Sequence, residues 1–186
     1  VEVVNDYFEN LPKFVSAANS FGLMDGGVDA AITNFFGFQL MQRVQLRIIK
    51  EFFGEQPVGT SIIVETKNEK HPYIAHTPTM RVPLDIRNTD HVYNAMAAML
   101  RAVHHHNLTA ERKIITIACP GLGTATGRVP ADQAARQMAL AYRNYLNPPK
   151  RIGWNYAHER HDAIGFGGHV ALEAKYPADY DPEAKK

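Results

Sequence analysis

The chain has 186 residues, 45% of them hydrophobic, which suits one domain with a sizeable core. Its 20 Lys+Arg and 19 Asp+Glu leave a net charge of +1, so a broadly basic face for nucleic acid is not expected. The single cysteine, Cys119, excludes an internal disulfide framework and an all-cysteine zinc site; no apolar run approaches the ~20 residues of a membrane span, and residues 1–10 lack the pattern of a secretion signal, so a reducing, cytoplasmic setting without a membrane partner is expected.

Val1–Val4 is a short β-branched run broken by Asn5-Asp6, a strand running into a loop. Phe14–Ala17 is a second short apolar run, ending at Asn19. FGLMDGGVDAAI follows, a glycine-rich turn that opens into a helix. Ala30–Phe36 and Leu40–Phe53 both read as helical, with Gly37 as the break between them. A turn at PVGTS precedes a strand over Ile62–Thr66, and NEKHP turns the chain into a strand over Tyr73–Thr77 that Pro78 is expected to stop. Asn88-Thr89-Asp90 offers N-cap chemistry for a long helix, in which Val92, Met96, Met99, Leu100 and Val103 recur at helical spacing. Ile114–Ala118 is the most apolar strand, as a buried central strand would be. It leads into Pro120 and the loop GLGTATGRVP. Asp132–Leu146 is the last clear helix, ended by Asn147-Pro148-Pro149. Beyond Pro149 no regular element is expected, and the charged, proline-bearing end of the chain reads as a tail. Strands alternating with helices give a three-layer α/β/α domain with a mixed central sheet over residues 1–149, followed by a partly irregular extension over 150–186.

In such sheets ligands sit at the carboxyl ends of the strands, and both glycine-rich segments fall there. In the first, Ala17-Ala18-Asn19-Ser20 leads to Asp25-Gly26-Gly27-Val28-Asp29. Adjacent glycines let backbone N–H groups approach a ligand, and the following helix N-terminus favours an anion. Asn19 offers donors and acceptors suited to a ribose edge. Asp29, in the first turn, is placed to orient water or a hydroxyl and is expected to stay ionised there. The same residues also suit a plain turn followed by an acid that the helix dipole favours, and residue types alone leave both readings open. In the second, Gly121-Leu122-Gly123-Thr124-Ala125-Thr126-Gly127 lies between a strand and a helix, the setting of a backbone nest for phosphate. It is neither Walker A nor the G-x-G-x-x-G fingerprint, which disfavours NTPase and dehydrogenase readings.

Together these segments resemble the macro domain family. The family's Asn-Ala-Ala-Asn strand end and Gly-Gly-Gly-Val loop correspond to Ser16-Ala17-Ala18-Asn19 and Asp25-Gly26-Gly27-Val28. Its second loop corresponds to Gly121–Pro130, and its central strand to Tyr73–Pro78. The form SFGLMDGGVD is similar to macro domains of bacterial and phage sequences. The resemblance implies an ADP-ribose pocket with no cofactor and no metal. Asp6, or its neighbour Asn5, would meet the adenine amino group, with Asp6 favoured, and Asn19 the distal ribose. The backbones of Gly26, Gly27 and Val28 and of Gly123, Thr124, Ala125, Thr126 and Gly127 would hold the diphosphate, with Asp25 and Gly121 also among the ligand-binding residues. In MacroD-type hydrolases an aspartate after Gly-Gly-Val is needed for turnover. Asp29 matches it, so Asn19 and Asp29 are the candidate catalytic pair for hydrolysis of an ADP-ribosyl ester or related derivative. The rivals are a non-catalytic reader of ADP-ribose or ADP-ribosylated protein, and a phage-associated or structural nucleotide-binding module. Ser16 and Asp25 depart from the signature. The second loop has Arg128 or Val129 where an aromatic usually covers the distal ribose, and Tyr142, Tyr145 and Trp154 are candidates to stack on adenine.

Other features are discounted. His104-His105-His106 point in different directions on a helix. His158 and His161 lack a third metal ligand. Cys119 and His76 read as core residues, and Met96 and Met99 as packing.

Overall fold

The computed structural model describes residues 14–165, so the expected strand at Val1–Val4, Asp6 and the tail lie outside the described residues. The elements run β1 (Phe14–Asn19), α1 (Gly27–Phe36), α2 (Phe38–Phe52), β2 (Ile62–Glu65), β3 (Tyr73–Met80), α3 (His91–Thr109), α4 (Ala131–Leu146) and α5 (Trp154–Ile164). The three strands are ordered β1-β3-β2. β1 runs parallel to β3 and β2 antiparallel to it, giving the mixed sheet. Side chains alternate across the strands. Val15 and Ala75 pack with Val92, Met99, Leu100 and Val103 of α3 on one face. On the other face Ile62, Val64 and Ile74 pack with Ile32 of α1 and Leu40, Val44 and Ile48 of α2. Helices cover both faces, which is the three-layer α/β/α arrangement.

Asn68 makes the turn between β2 and β3, its Oδ1 accepting from the backbone N–H groups of Lys70 and His71, each at 3.0 Å. Pro78 does not stop β3, which continues to Met80. β2 pairs with β3 only from Tyr73 to His76, so the proline sits past the end of its antiparallel neighbour, where no ladder donor is lost. The cap of α3 is also differently made. No side chain of Asp90 caps it; instead Gln137, reaching across from α4, accepts from Tyr93 N at 2.9 Å and donates to Thr89 O at 3.0 Å.

Two expectations are corrected. Ile114–Ala118 is not a buried central strand. It is an extended segment outside β1, joined to it by Val15 N donating to Ala118 O at 2.9 Å and pinned by Asn107, which bonds both N and O of Ile114. Ile114 and Ala118 are buried, whereas Ile115 is 89% exposed. Ile114 joins the α3-side core and Ala118 the α1–α2-side core, while Ile115 and Thr116 between them are exposed, so an apolar run here does not amount to a strand buried along its length. Beyond Pro149 the chain also forms α5. Ile164 is buried against Tyr93, Leu140 and Ala141, and Arg136 donates to the carbonyls of Ile164 (2.6 Å) and Gly165 (2.7 Å). A tertiary contact and a long-range cap thus stabilise a helix whose own sequence is a weak signal.

The second glycine loop is packed from beneath. Leu122 is fully buried, and Gly123, at φ +72°, has Ile86, Val92 and Val129 against it. Its carbonyl accepts from Val129 N, and that of Gly127 from Ile86 N, each at 3.0 Å. A Cβ on Gly127 would lie 2.6 Å from Gly123 O and 2.7 Å from Ile86 Cγ1. The side of Gly127 that a side chain would fill is therefore protein, not open space for a phosphate. Gly127→Val is expected to cost roughly 1–3 kcal/mol through overpacking, read as a lower urea midpoint. An unchanged midpoint would show that the loop yields freely.

Candidate functional site

β1 and β3 end side by side. Ser20 N donates to Met80 O and Arg81 O, each at 3.1 Å, and Gln56 N to Ser20 O at 2.8 Å. The ladder register slips between Ala18 and Asn19, which releases the chain from the sheet into the first loop. Asn19 shapes that loop itself: its Nδ2 donates to Leu23 O at 2.7 Å, and its Oδ1 accepts from the N–H groups of Phe21 (3.0 Å) and Leu23 (3.2 Å). One amide hydrogen remains for a ligand. The loop then enters α1 at Gly26, a residue with no side chain to cap it, and among the described residues no other side chain bonds the first amides of that helix. Its first amides are therefore available to an anion. Asp25, Gly26, Gly27 and Val28 are all exposed, and a Cβ on Gly26 or Gly27 would meet nothing within 4 Å.

Asp29 points inward from the same turn. It is 6% exposed, and its Oδ1 accepts from the hydroxyl of Ser16 at 2.6 Å. Three effects act on its carboxyl. Burial raises the pKa, the Ser16 hydrogen bond lowers it, and the charge of Asp25 raises it, with burial the largest, so it is pushed up to about 6. Asp29 is thus ionised at neutral pH, as its place in the first turn leads one to expect, but desolvation makes it lose its charge as the pH falls through about 6.

The second loop meets the same end of the sheet through Ile86 and Met80, which share one core cluster with Leu122 and Val129. Its outward residues are Gly121, Ala125 and Thr126. The Thr124 hydroxyl is spent on Gly121 O at 2.8 Å, and Gly123 and Gly127 face the core. The candidate residues of both loops thus gather at one sheet edge, with unequal access to it. The stacking candidates do not join them. Tyr142 and Tyr145 lie ~16 Å or more along α4 from its loop end at the usual rise of a helix, and Tyr145 rests against His104. Trp154 opens α5, the far end of which is the one that Arg136 holds.

His76 is fully buried in β3. Its Nδ1 lies 2.7 Å from Gln56 Oε1, while Gln56 Nε2 donates to His76 O at 3.3 Å. The amide orientation makes Nδ1 the protonated nitrogen and leaves Nε2 an acceptor without a partner. Burial pushes its pKa down to about 3, so it is neutral and not a proton donor at physiological pH. Burial likewise pushes the Cys119 thiol up to about 12, far from a nucleophile's range. Among the described residues no group of three or more His, Cys, Asp or Glu side chains is placed to hold a metal ion, and no helix is long and apolar enough to cross a membrane.

Ser16 is the residue that sequence reasoning missed as a participant. A polar side chain at an inward position, between Val15 and Ala17 of an apolar strand, must find a hydrogen-bond partner. That signal was legible; the identity of the partner was not.

A family model, that of the Macro domain, matches residues 15–138. A protein of Aquifex aeolicus is 30% identical over 131 residues, 70% of this chain and 72% of that one. A macro domain-containing protein of Caldanaerobacter subterraneus is 29% identical over 138 residues, 74% and 75% of the two chains. Among solved structures, a single-substitution variant of the Oceanobacillus iheyensis macrodomain, in complex with ADPR, superposes with a TM-score of 0.61 at 25% identity and covers 76% of this chain and 74% of its own. With the family model, the relatives and the three-layer fold in agreement, this chain belongs to the macro domain family.

Proposed function

We propose that this domain binds ADP-ribose at the carboxyl edge of β1 and β3 and hydrolyses an ADP-ribosyl ester there. One observation carries the reading: a helix N-terminus that no described side chain caps, with nothing beside the Cβ positions of Gly26 and Gly27, carries in its own first turn a buried carboxylate poised near neutral pH. The first amides of α1 and the exposed tip of the second loop take the diphosphate. Asn19 uses its remaining amide hydrogen on the distal ribose. Asp29 is the general base. Water forms the new bond at the anomeric carbon and the ester C–O bond to that carbon breaks. The acyl carboxylate leaves as an anion, and the water's proton passes to Asp29. A base with a pKa near working pH is effective in this role. The ADPR bound to the O. iheyensis macrodomain supports the ligand class. A second reading, a reader without turnover, is favoured by the bonds that hold Asn19 inside its own loop. The deciding experiment is a turnover assay on a sample already shown by calorimetry to bind ADP-ribose: product from an ADP-ribosyl ester selects the enzyme, and its absence selects the reader.

In calorimetry, ADP-ribose is expected to bind at least ten times more tightly than AMP, because only the larger ligand spans the diphosphate and distal ribose sites. Equal affinities would rule out the composite pocket. Gly26→Val tests the first loop. Gly26 has extended backbone at φ −137° and nothing near its Cβ position, so the variant keeps the parent's melting temperature while the new side chain weakens ADP-ribose binding. Full affinity in the folded variant would show that the ligand lies elsewhere.

Asp29→Asn separates catalysis from stability. Turnover is expected to fall by roughly 10²–10⁴. The folded-state pKa of about 6 stands above the ordinary aspartate value of 3.8, so the ionised carboxylate opposes folding above pH 6 and this cost fades as the pH falls towards 4. The variant is therefore expected to be more stable than the parent at pH 7.5, by on the order of 2–3 kcal/mol, with little difference near pH 4. Urea midpoints at the two pH values measure this, and a variant less stable than the parent at pH 7.5 would contradict the assigned burial of charge.

A further inference from the structure

Ser16 is fully buried, and its hydroxyl has one hydrogen to give. That hydrogen goes to Oδ1 of Asp29 at 2.6 Å, across 13 residues of sequence. Three facts make this bond more than incidental. β1 is held on both edges, by β3 and by Ala118, so the Ser16 backbone is fixed. Asp29 projects from a helix whose N-terminal glycines are exposed and lack packing neighbours at their Cβ positions, so its own backbone is the less constrained of the two. And Ser16 stands where the family signature carries asparagine, a longer side chain with different donors, so this pairing belongs to this chain's own residues.

We propose that Ser16 is a positioning residue for the hydrolysis: its hydroxyl ties Oδ1 of Asp29 to the rigid sheet and leaves Oδ2 as the oxygen that takes the proton from water. The inference rests on the hydrolase reading above. In the ionised state Oδ1 accepts from Ser16 and the carboxylate plane is set. When Oδ2 has taken the proton from water, the Ser16 hydrogen bond to Oδ1 remains, so the base resets without a change of partner. The bond favours the charged form and so opposes the burial that raises the Asp29 pKa. Around the pair, Asp25 in the loop is the charged neighbour. His76, the register partner of Ser16 in β3, is the titratable group on the same sheet face and is held neutral by burial. On α2, Arg43 is directed to the carbonyls of Glu65 and Thr66, and Arg47 to Glu51 and the carbonyl of Ile63.

The test is the pH dependence of turnover in Ser16→Ala, Ser16→Cys and Ser16→Thr, each first checked for ADP-ribose binding by calorimetry. The parent's rate is expected to fall on the acid side near pH 6. Without the hydroxyl, in the alanine and cysteine variants, kcat falls by ten-fold or more. In both, the acid limb moves to higher pH by roughly one unit, the size expected for losing a hydrogen bond to a charged group. KM and ADP-ribose affinity change little. The threonine variant, which keeps a hydroxyl, returns the limb to the parent position. A limb that stays put in both alanine and cysteine variants that still bind ligand overturns the inference while the hydrolase reading stands, as does a folded threonine variant that behaves like alanine. A parent that binds ADP-ribose and turns over no ester ends the hydrolase reading and this inference with it. Should the alanine variant not fold, the cysteine variant decides: a cysteine variant that binds ADP-ribose and keeps the parent's acid limb overturns the inference.

Discussion

The parallel pairing of β1 with β3 is the constraint on which the site depends. It is one register, Phe14 opposite Ile74 through Ala18 opposite Pro78, and it does three things at once. It sends Val15 towards α3 and Ser16 towards α1. It ends both strands at the same edge, so the chain leaves the sheet beside Met80 and Arg81. It also leaves the outer edge of β1 to the Ala118 segment, from which the second loop departs. A slip of one residue in this register would turn Ser16 to the α3 face, and Asp29 would lose its donor with no other change in sequence.

At Asp29 two opposed effects are settled by magnitude. A helix N-terminus stabilises a nearby negative charge by a few tenths to about 1 kcal/mol when exposed, and by up to ~2 kcal/mol in favourable, partly buried geometry. Moving the carboxyl from its ordinary value of 3.8 to about 6 against a hydrogen bond implies a desolvation cost above that range, since each unit is ~1.4 kcal/mol. Burial wins. The consequence is a carboxylate that is charged at neutral pH yet holds its charge weakly, which is the condition for a base that gains and returns a proton. Fully buried His76 and partly buried Cys119 have no partner charge, and burial drives both towards their neutral forms. Burial alone silences a side chain; burial with one donor keeps it poised.

Much of this was legible in the chain. The helices, the β2–β3 turn at Asn68 and the two glycine loops at strand ends follow from periodicity and turn chemistry, which are local. What failed was non-local. The run Ile114–Ala118 is apolar enough for a central strand, yet no local property tells that it joins β1 only at Ala118 and that Ile115 lies in solvent. The helix α5 exists because Arg136 and the core around Ile164 receive it, and both partners are distant in sequence. The α3 cap expected from Asn88-Thr89-Asp90 is supplied in large part by Gln137. At the site, the types and order of residues were readable, whereas the inward turn of Asp29 and the self-bonding of Asn19 were settled by packing.

The two loops also differ in a way that glycine content hides. Gly26 and Gly27 face open space, so their lack of side chains clears room on the solvent side. Gly123 and Gly127 lack side chains because the protein beneath them needs the room: Ile86, Val92 and Val129 press against one, and Gly123 O and Ile86 against the other. Glycine in the first loop admits a ligand; glycine in the second admits the core. The second loop is thereby made rigid, with Ala125 and Thr126 held out as a fixed tip. A tip ordered in advance costs little entropy when a ligand arrives. The first loop, braced mainly by Asn19 and anchored to the sheet through Ser16 and Asp29, is the part left to adjust. On the proposed reading the diphosphate lies between the rigid tip and the first amides of α1, and the reacting sugar lies against the adjustable loop, where a single buried hydroxyl fixes the base.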